Sequence, residues 1–228
     1  MHMRKWIAAA ILAAAPLFAQ EPISDNSFFI EEAYNQEPDV VQHIGTFERI
    51  RGGDWGAAFT QEWPLFSQQH QLSYTVPFDS SELGDVALTY RYQMLGVEGG
   101  RIAFAPNVSL LLPTGDDSET SWELKLPLSI ELSDRFVTHS NAGAAFAGSD
   151  RTITLGQSLV WLATPRMNVL VEAVWDDDEN LLVSPGIRWA HNLDSGLQIV
   201  PGIAVPIGVG PSAGERGVFL YLSFEHAY

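Results

Sequence analysis

The chain has 228 residues, enough for one domain with a substantial core. It contains no cysteine, which excludes a disulfide framework, thiolate metal sites and a cysteine nucleophile. Its 12 Lys and Arg stand against 28 Asp and Glu, a net charge of −16 that offers nucleic acid no basic face, and 46% hydrophobic residues with 18% charged ones exclude intrinsic disorder.

Met1–Ala19 reads as a secretory signal peptide. Arg4 and Lys5 give the positive start, Trp6–Ala15 is apolar throughout, and the small Ala19 precedes Gln20 where a signal peptidase would cut. The run is too short to cross a bilayer, and no later stretch approaches the ~18 apolar residues of a membrane helix. Residues 20–38 come next and do not alternate. Within them Phe28, Phe29, Ile30, Ala33 and Tyr34 would share one face of a short amphipathic helix. That segment reads either as a lead-in to the first strand or as a plug folded into what the strands enclose.

Residues 39–228 repeat with period two, and Gly and Asp clusters punctuate them every ~8–14 residues, a spacing that signals an all-β chain. Trp122, Leu124, Leu126, Leu128, Ile130 and Leu132 share one face, while Glu123, Lys125, Pro127, Ser129 and Glu131 share the other. Leu220, Leu222, Phe224, His226 and Tyr228 keep the same phase. Counting runs between breakers predicts about twelve strands, at 40–50, 55–64, 69–78, 85–94, 101–113, 121–133, 136–146, 152–163, 167–176, 181–191, 197–207 and 217–228. The joints alternate between short turns and longer acidic loops, although Arg51–Asp54, Gly148–Arg151 and Leu95–Gly100 break the alternation. Pro106, Pro127, Pro185 and Pro201 fall inside these runs, so bulges are expected there, with faces slipping by one residue beyond them.

A soluble barrel would also alternate, with its apolar face inward. Three features favour a membrane barrel instead. The polar faces carry Ala, Gly and Ser with isolated charges, which suits a crowded lumen better than a solvated surface. Trp55, Trp63, Trp122, Trp161, Trp175, Trp189 and Tyr228 collect near strand ends, as interfacial girdles do. The terminal run closes on an aromatic, with Phe224 and Tyr228 as the candidate signal to a barrel assembly machinery. The expectation is an all-β, antiparallel up-and-down transmembrane barrel in a bacterial outer membrane, with outer-membrane lipid and that machinery as partners.

No nucleotide motif, metal-ligand constellation or nucleophile elbow occurs, so neither a cofactor nor an enzyme is expected. His139, Ser140 and Asn141 tempt as a triad, but Ser140 points away from the other two on a strand. Asp176–Glu179 and Asp116–Glu119 offer carboxylates to a hard cation but fit no known loop spacing; acidic tips are ordinarily solvated. By parity the lumen-facing charges are Glu62, Asp85, Arg91, Arg101, Glu123, Lys125, Glu131, Glu172, Arg188 and Glu225. They either line a passage or pair across strands and fill it.

Ser27–His43 (SFFIEEAYNQEPDVVQH), Leu110–Asp116 (LLLPTGD), Ile199–Gly208 (IVPGIAVPIG) and Gly217–Tyr228 (GVFLYLSFEHAY) together resemble the bacterial outer-membrane transporters of the MetA-type phenol-degradation pathway family. The resemblance covers nearly all of residues 20–228 and implies a membrane barrel that passes small hydrophobic or aromatic molecules. It identifies no binding residue. A non-conducting anchor barrel and a lipid-modifying enzyme remain the other two readings.

Overall fold

The computed structural model describes residues 27–80, 82–97, 99–115 and 119–227. The expected signal peptide, Asp116, Asp117 and Tyr228 lie outside them. Twelve antiparallel staves follow one another: β1 (Val40–Ile50), β2 (Trp55–Pro64), β3 (His70–Asp79), β4 (Val86–Tyr92), β5 (Ile102–Phe104 continued by Asn107–Leu112), β6 (Ser121–Ser133), β7 (Phe136–Ala147), β8 (Asp150–Thr164), β9 (Met167–Asp176), β10 (Leu181–Trp189), β11 (Gln198–Ala204 continued by Ile207–Gly208) and β12 (Gly217–Ala227). Each pairs with the next, and β12 returns to β1 with Val40 opposite Ala227 and Ile50 opposite Gly217. Closure satisfies the ladder at what would otherwise be two open edges.

Side chains alternate about this wall in the sense opposite to a soluble barrel. On β12, Leu220 is 43% exposed and Phe224 36%, whereas Phe219 and Tyr221, on either side of Leu220, are 6% and 5% exposed. The outward row of Trp122, Leu124 and Leu126 on β6 is likewise exposed, and the inward row carries buried Ser129. Trp63, Trp161 and Trp189 sit at the end of the barrel that holds Val40 and Ala227, and Trp55, Trp122 and Trp175 at the other. Among the described residues, outward positions between these two girdles carry no Asp, Glu, Lys or Arg. A charge there would cost about 2–4 kcal/mol at the bilayer midplane. The outer surface is therefore built for hydrocarbon, and the polar groups are turned inward.

The prolines do not shift the faces. Pro127 stands opposite Asn141, Pro185 opposite Val171 and Pro201 opposite Leu222, each in unbroken register. Pro106 and Pro206 do interrupt β5 and β11 as regular strand, yet the register resumes beyond them. The carbonyls of Pro106, Pro127, Pro185 and Pro206 each still accept a cross-strand N–H, from Tyr92, Ala105, Val205 and Gly217. A proline here removes a single donor and leaves the phase intact. The two register irregularities fall elsewhere, at Glu131/Ser133 and Leu162/Thr164, beside the tight turns. Opposite them, β7 and β8 join through Gly148 and Ser149, and Gly148 supplies the φ of +57° that so short a turn demands.

Ser27–Gln36 is not helical. It is a bent, extended strip with buried Ser27, Ile30, Glu32, Ala33 and Asn35, and its bonds run to the inward faces of the staves. The apolar spacing that suggests a helix instead serves several walls at once. Phe28 packs on Phe219 and Tyr221, and Ala33 packs on Ala103 and Ala105.

Candidate lumenal site

The strip crosses the lumen by lending its backbone donors to wall side chains. The N–H groups of Phe28, Phe29 and Ile30 converge on the carboxylate of Glu172 on β9, at 2.9, 3.1 and 3.1 Å. Successive amides wrapped on one anion form a nest, and a buried carboxylate is well matched to it. Further along, Glu31 N–H donates to Asn141 Oδ1 and Asn141 Nδ2 donates back to the Glu31 carbonyl, at 2.7 and 2.8 Å. Ala33 N–H reaches Ser129 Oγ at 2.9 Å, Asn35 N–H reaches Gln93 Oε1 at 2.9 Å, and Gln36 N–H reaches Gln71 Oε1 at 2.7 Å. An extended chain has no partners of its own, so inside a barrel the wall must supply them.

Two side chains of the strip enter shaped places in the wall. The ring of Phe28 lies over Gly186 and Gly202, where an added Cβ would come within 2.5 Å and 2.6 Å of ring carbons. The Arg188 guanidinium covers the Phe28 ring at 4.7 Å and the Tyr221 ring at 3.7 Å, so this cation rests on aromatic faces. The Glu31 carboxylate meets three donors from adjacent staves. Lys125 Nζ donates to Oε1 at 2.7 Å, Arg91 Nη2 to Oε2 at 2.7 Å and Asn107 Nδ2 to Oε2 at 2.6 Å. Burial pushes the Glu31 carboxyl up, but the Lys125 ammonium and the Arg91 guanidinium outweigh it and hold it down to about 2. Burial, with Glu131 and Glu32 nearby, pushes the Tyr34 phenol up to about 12.

The ten charges expected on the lumen by parity separate into three groups. Arg91, Lys125, Glu172 and Arg188 contact the strip directly. Glu123 stands 3.3 Å from Lys125, while Glu62 and Glu225 accept bonds from Gln71 and Gln42, which the strip's Gln36 touches in turn. Asp85, Arg101 and Glu131 belong to the rims: Asp85 accepts the Thr114 N–H at 3.4 Å, and Arg101 and Glu131 are exposed at the terminal end. Phe224 is outward, between His43 and Ile199. Charge alone misses the neutral grips Asn107, Asn141, Ser129, Gln71 and Gln93, whose signal was simply their inward parity, and it misses Glu31 on the strip.

His139 is fully buried on the inner face, with its Nδ1 2.7 Å from Ser129 Oγ rather than near Ser140. Ser140 faces outward and donates to Gln157, and Gln157 also donates to Thr138. The sequential triad is thus split across the wall. Asp176 accepts the N–H groups of Asp178 and Asn180, so that acidic tip folds around itself. A cavity of about 790 Å³ remains beside the strip, running from Val40 and Ala227 at the terminal mouth to Thr46 and Thr60 at mid-height, with Glu31 and Arg91 on its wall. A second, shallower hollow of about 580 Å³ lies on the outer face between Leu126, Leu155 and Trp175.

No protein-family model and no curated protein sequence matches the chain. Its fold, however, is that of solved outer-membrane barrels. It is similar to the COG4313 outer membrane channel from Pseudomonas putida F1, at 12% identity and a TM-score of 0.63 over 89% of this chain and 100% of that one. The KdgM porin gives 9% identity and a TM-score of 0.61 over 80% of this chain and 98% of the other. The NanC porin gives 7% identity and a TM-score of 0.58 over 81% and 98%. With a hydrocarbon-facing exterior, two aromatic girdles and these likenesses together, the chain has the architecture of a twelve-stranded outer-membrane β-barrel.

Proposed function

We propose that the protein is an outer-membrane channel for small molecules, held in a restricted state by Ser27–Gln36. The observation that carries this reading is the donor pattern of the strip. From Phe28 to Ile30, and at Glu31, Ala33, Asn35 and Gln36, its backbone is bonded to wall side chains rather than to itself. An anchor barrel needs no such arrangement, because a lumen can be filled by wall residues alone. The cavity beside the strip supplies the start of a path. On the sequence resemblance to the phenol-degradation transporters, the solutes are apolar or aromatic, and the Phe28 slot between Gly186 and Gly202 is a place where such a ring fits. The enzyme reading is weaker. The Ser129–His139 pair faces the lumen, away from lipid, and Ser129 Oγ is already bonded to the strip's Ala33 N–H.

Planar-bilayer recording tests the proposal. The full chain should conduct weakly, and a chain lacking residues 27–36 should conduct several times more. Sealed bilayers with both proteins, each verified as a heat-modifiable barrel, would return the molecule to the anchor class.

A further inference from the structure

We propose that Arg91, Asn107 and Lys125 form a binding site for the carboxylate of a passing solute, and that Glu31 occupies it as an intramolecular stand-in. The inference rests on the channel reading above and gives it a substrate class, small organic monocarboxylates.

The site is built by the wall before the strip arrives. Arg91 stands directly opposite Asn107, and Asn107 directly opposite Lys125, in the ladders joining β4, β5 and β6. Register alone therefore sets guanidinium, amide and ammonium in one row on the inner face, and all three reach a single carboxylate at 2.6–2.7 Å. Glu172 and Arg188 also hold the strip with charged groups, but they meet its backbone amides and the Phe28 ring rather than a carboxylate. Asn141, Ser129, Gln93 and Gln71 hold it with neutral groups, which suffice for adhesion.

The row also has capacity to spare. Among the described residues, neither the Nε of the buried Arg91 nor Asn107 Oδ1 has a hydrogen-bond partner. Glu31 meets Arg91 through Nη2, since its reach is fixed by the strip's backbone bonds. An untethered carboxylate can turn to take Nε and Nη2 together, the bidentate geometry that arginine favours. Charge points the same way. When Glu31 is neutralised, the two cations face, among the described residues, one carboxylate in contact, Glu123 at 3.3 Å from Lys125, while Glu62 and Glu32 act on Arg91 from longer range. Among the described residues the buried Arg91 is then without a carboxylate in contact, and an incoming carboxylate restores the pair beside the half-buried Lys125. Arg91 and Glu31 both border the lumenal cavity, so a solute entering at the terminal mouth reaches the Arg91 end of the row.

Glu31→Gln keeps the size of the side chain but removes its charge and leaves one acceptor oxygen where the carboxylate has two, so the bonds from Lys125, Arg91 and Asn107 cannot all be kept. The test records full-length wild type, Glu31→Gln and the double variant Glu31→Gln/Lys125→Gln in planar bilayers, with benzoate and uncharged benzamide as probes. In Glu31→Gln, benzoate should interrupt the current saturably and benzamide should not. Adding Lys125→Gln should weaken that interruption about tenfold or more, as loss of a charge-assisted hydrogen bond does. In wild type, benzoate should compete with Glu31 and raise the open probability. A conducting Glu31→Gln channel that treats benzoate and benzamide alike would overturn the carboxylate site and leave the channel reading standing. Absence of current from all three proteins, and from the chain lacking residues 27–36, would overturn both.

Discussion

Gly202 shows how much a single missing Cβ decides. A methyl group there would lie 2.6 and 2.8 Å from two carbons of the Phe28 ring and 3.0 Å from Arg188 Cγ. Backbone at mid-wall cannot retreat, so the ring must leave, and overpacking of this kind costs about 1–3 kcal/mol. Gly202→Ala is therefore expected to speed hydrogen exchange at the Phe28, Phe29 and Ile30 amides by about tenfold. In a Phe28→Ala background the same substitution should change little, because the two residues act through one contact. Unaltered exchange in the single variant would show that the ring does not fix the strip. The opposite economy appears at Pro127, where losing one N–H leaves the register with Asn141 intact.

At the level of the element, the strip is held by its acid–base state as well as its shape. The Glu31 carboxyl is held down to about 2 when docked, against an ordinary value of 4.5. Because the docked form binds its proton less readily, docking draws full benefit from this contact above pH ~4.5 and loses it as pH falls toward 2. Channel current should accordingly be flat between pH 5 and 8 and rise on acidification below pH 4.5. Glu31→Gln should abolish that rise, and a wild-type current unchanged down to pH 2.5 would refute the role assigned to Glu31. The strip's extended form has the same origin as its attachment. Its N–H groups bond to Glu172, Asn141, Ser129, Gln93 and Gln71, and a helix would have consumed them internally.

For the whole molecule, an apolar coat around a polar interior makes sense only with lipid outside. Cell fractionation should recover the protein in the outer membrane as a heat-modifiable barrel, and recovery in the soluble periplasm would contradict this. Assembly adds a proposal about the end of β12. Phe224 faces outward beside Leu222, and Tyr228 continues that phase by sequence. Deleting Tyr228 or changing it to Asp should lower the amount of inserted barrel several-fold, while Tyr228→Phe should be nearly silent because the ring is kept. Normal membrane levels of the Asp variant would show that this aromatic is one more girdle residue.

The wall is written in the local pattern of the chain. Period two, breaker spacing and the alternation of Trp122–Leu132 against Glu123–Glu131 specify strands, faces and roughly where each stave ends, because a strand's phase is a local property. What the sequence could not determine is which inward groups meet. Arg91, Asn107 and Lys125 lie far apart in the chain, and only the registers of β4, β5 and β6 place them in a row. The strip was less legible still. Phe28, Phe29, Ile30, Ala33 and Tyr34 have helical spacing, yet the lumen offers Glu172 to three of their amides and two glycines to one ring. Closure of twelve staves creates those partners, so the conformation of Ser27–Gln36 is decided by the tertiary structure rather than by the segment's own propensity.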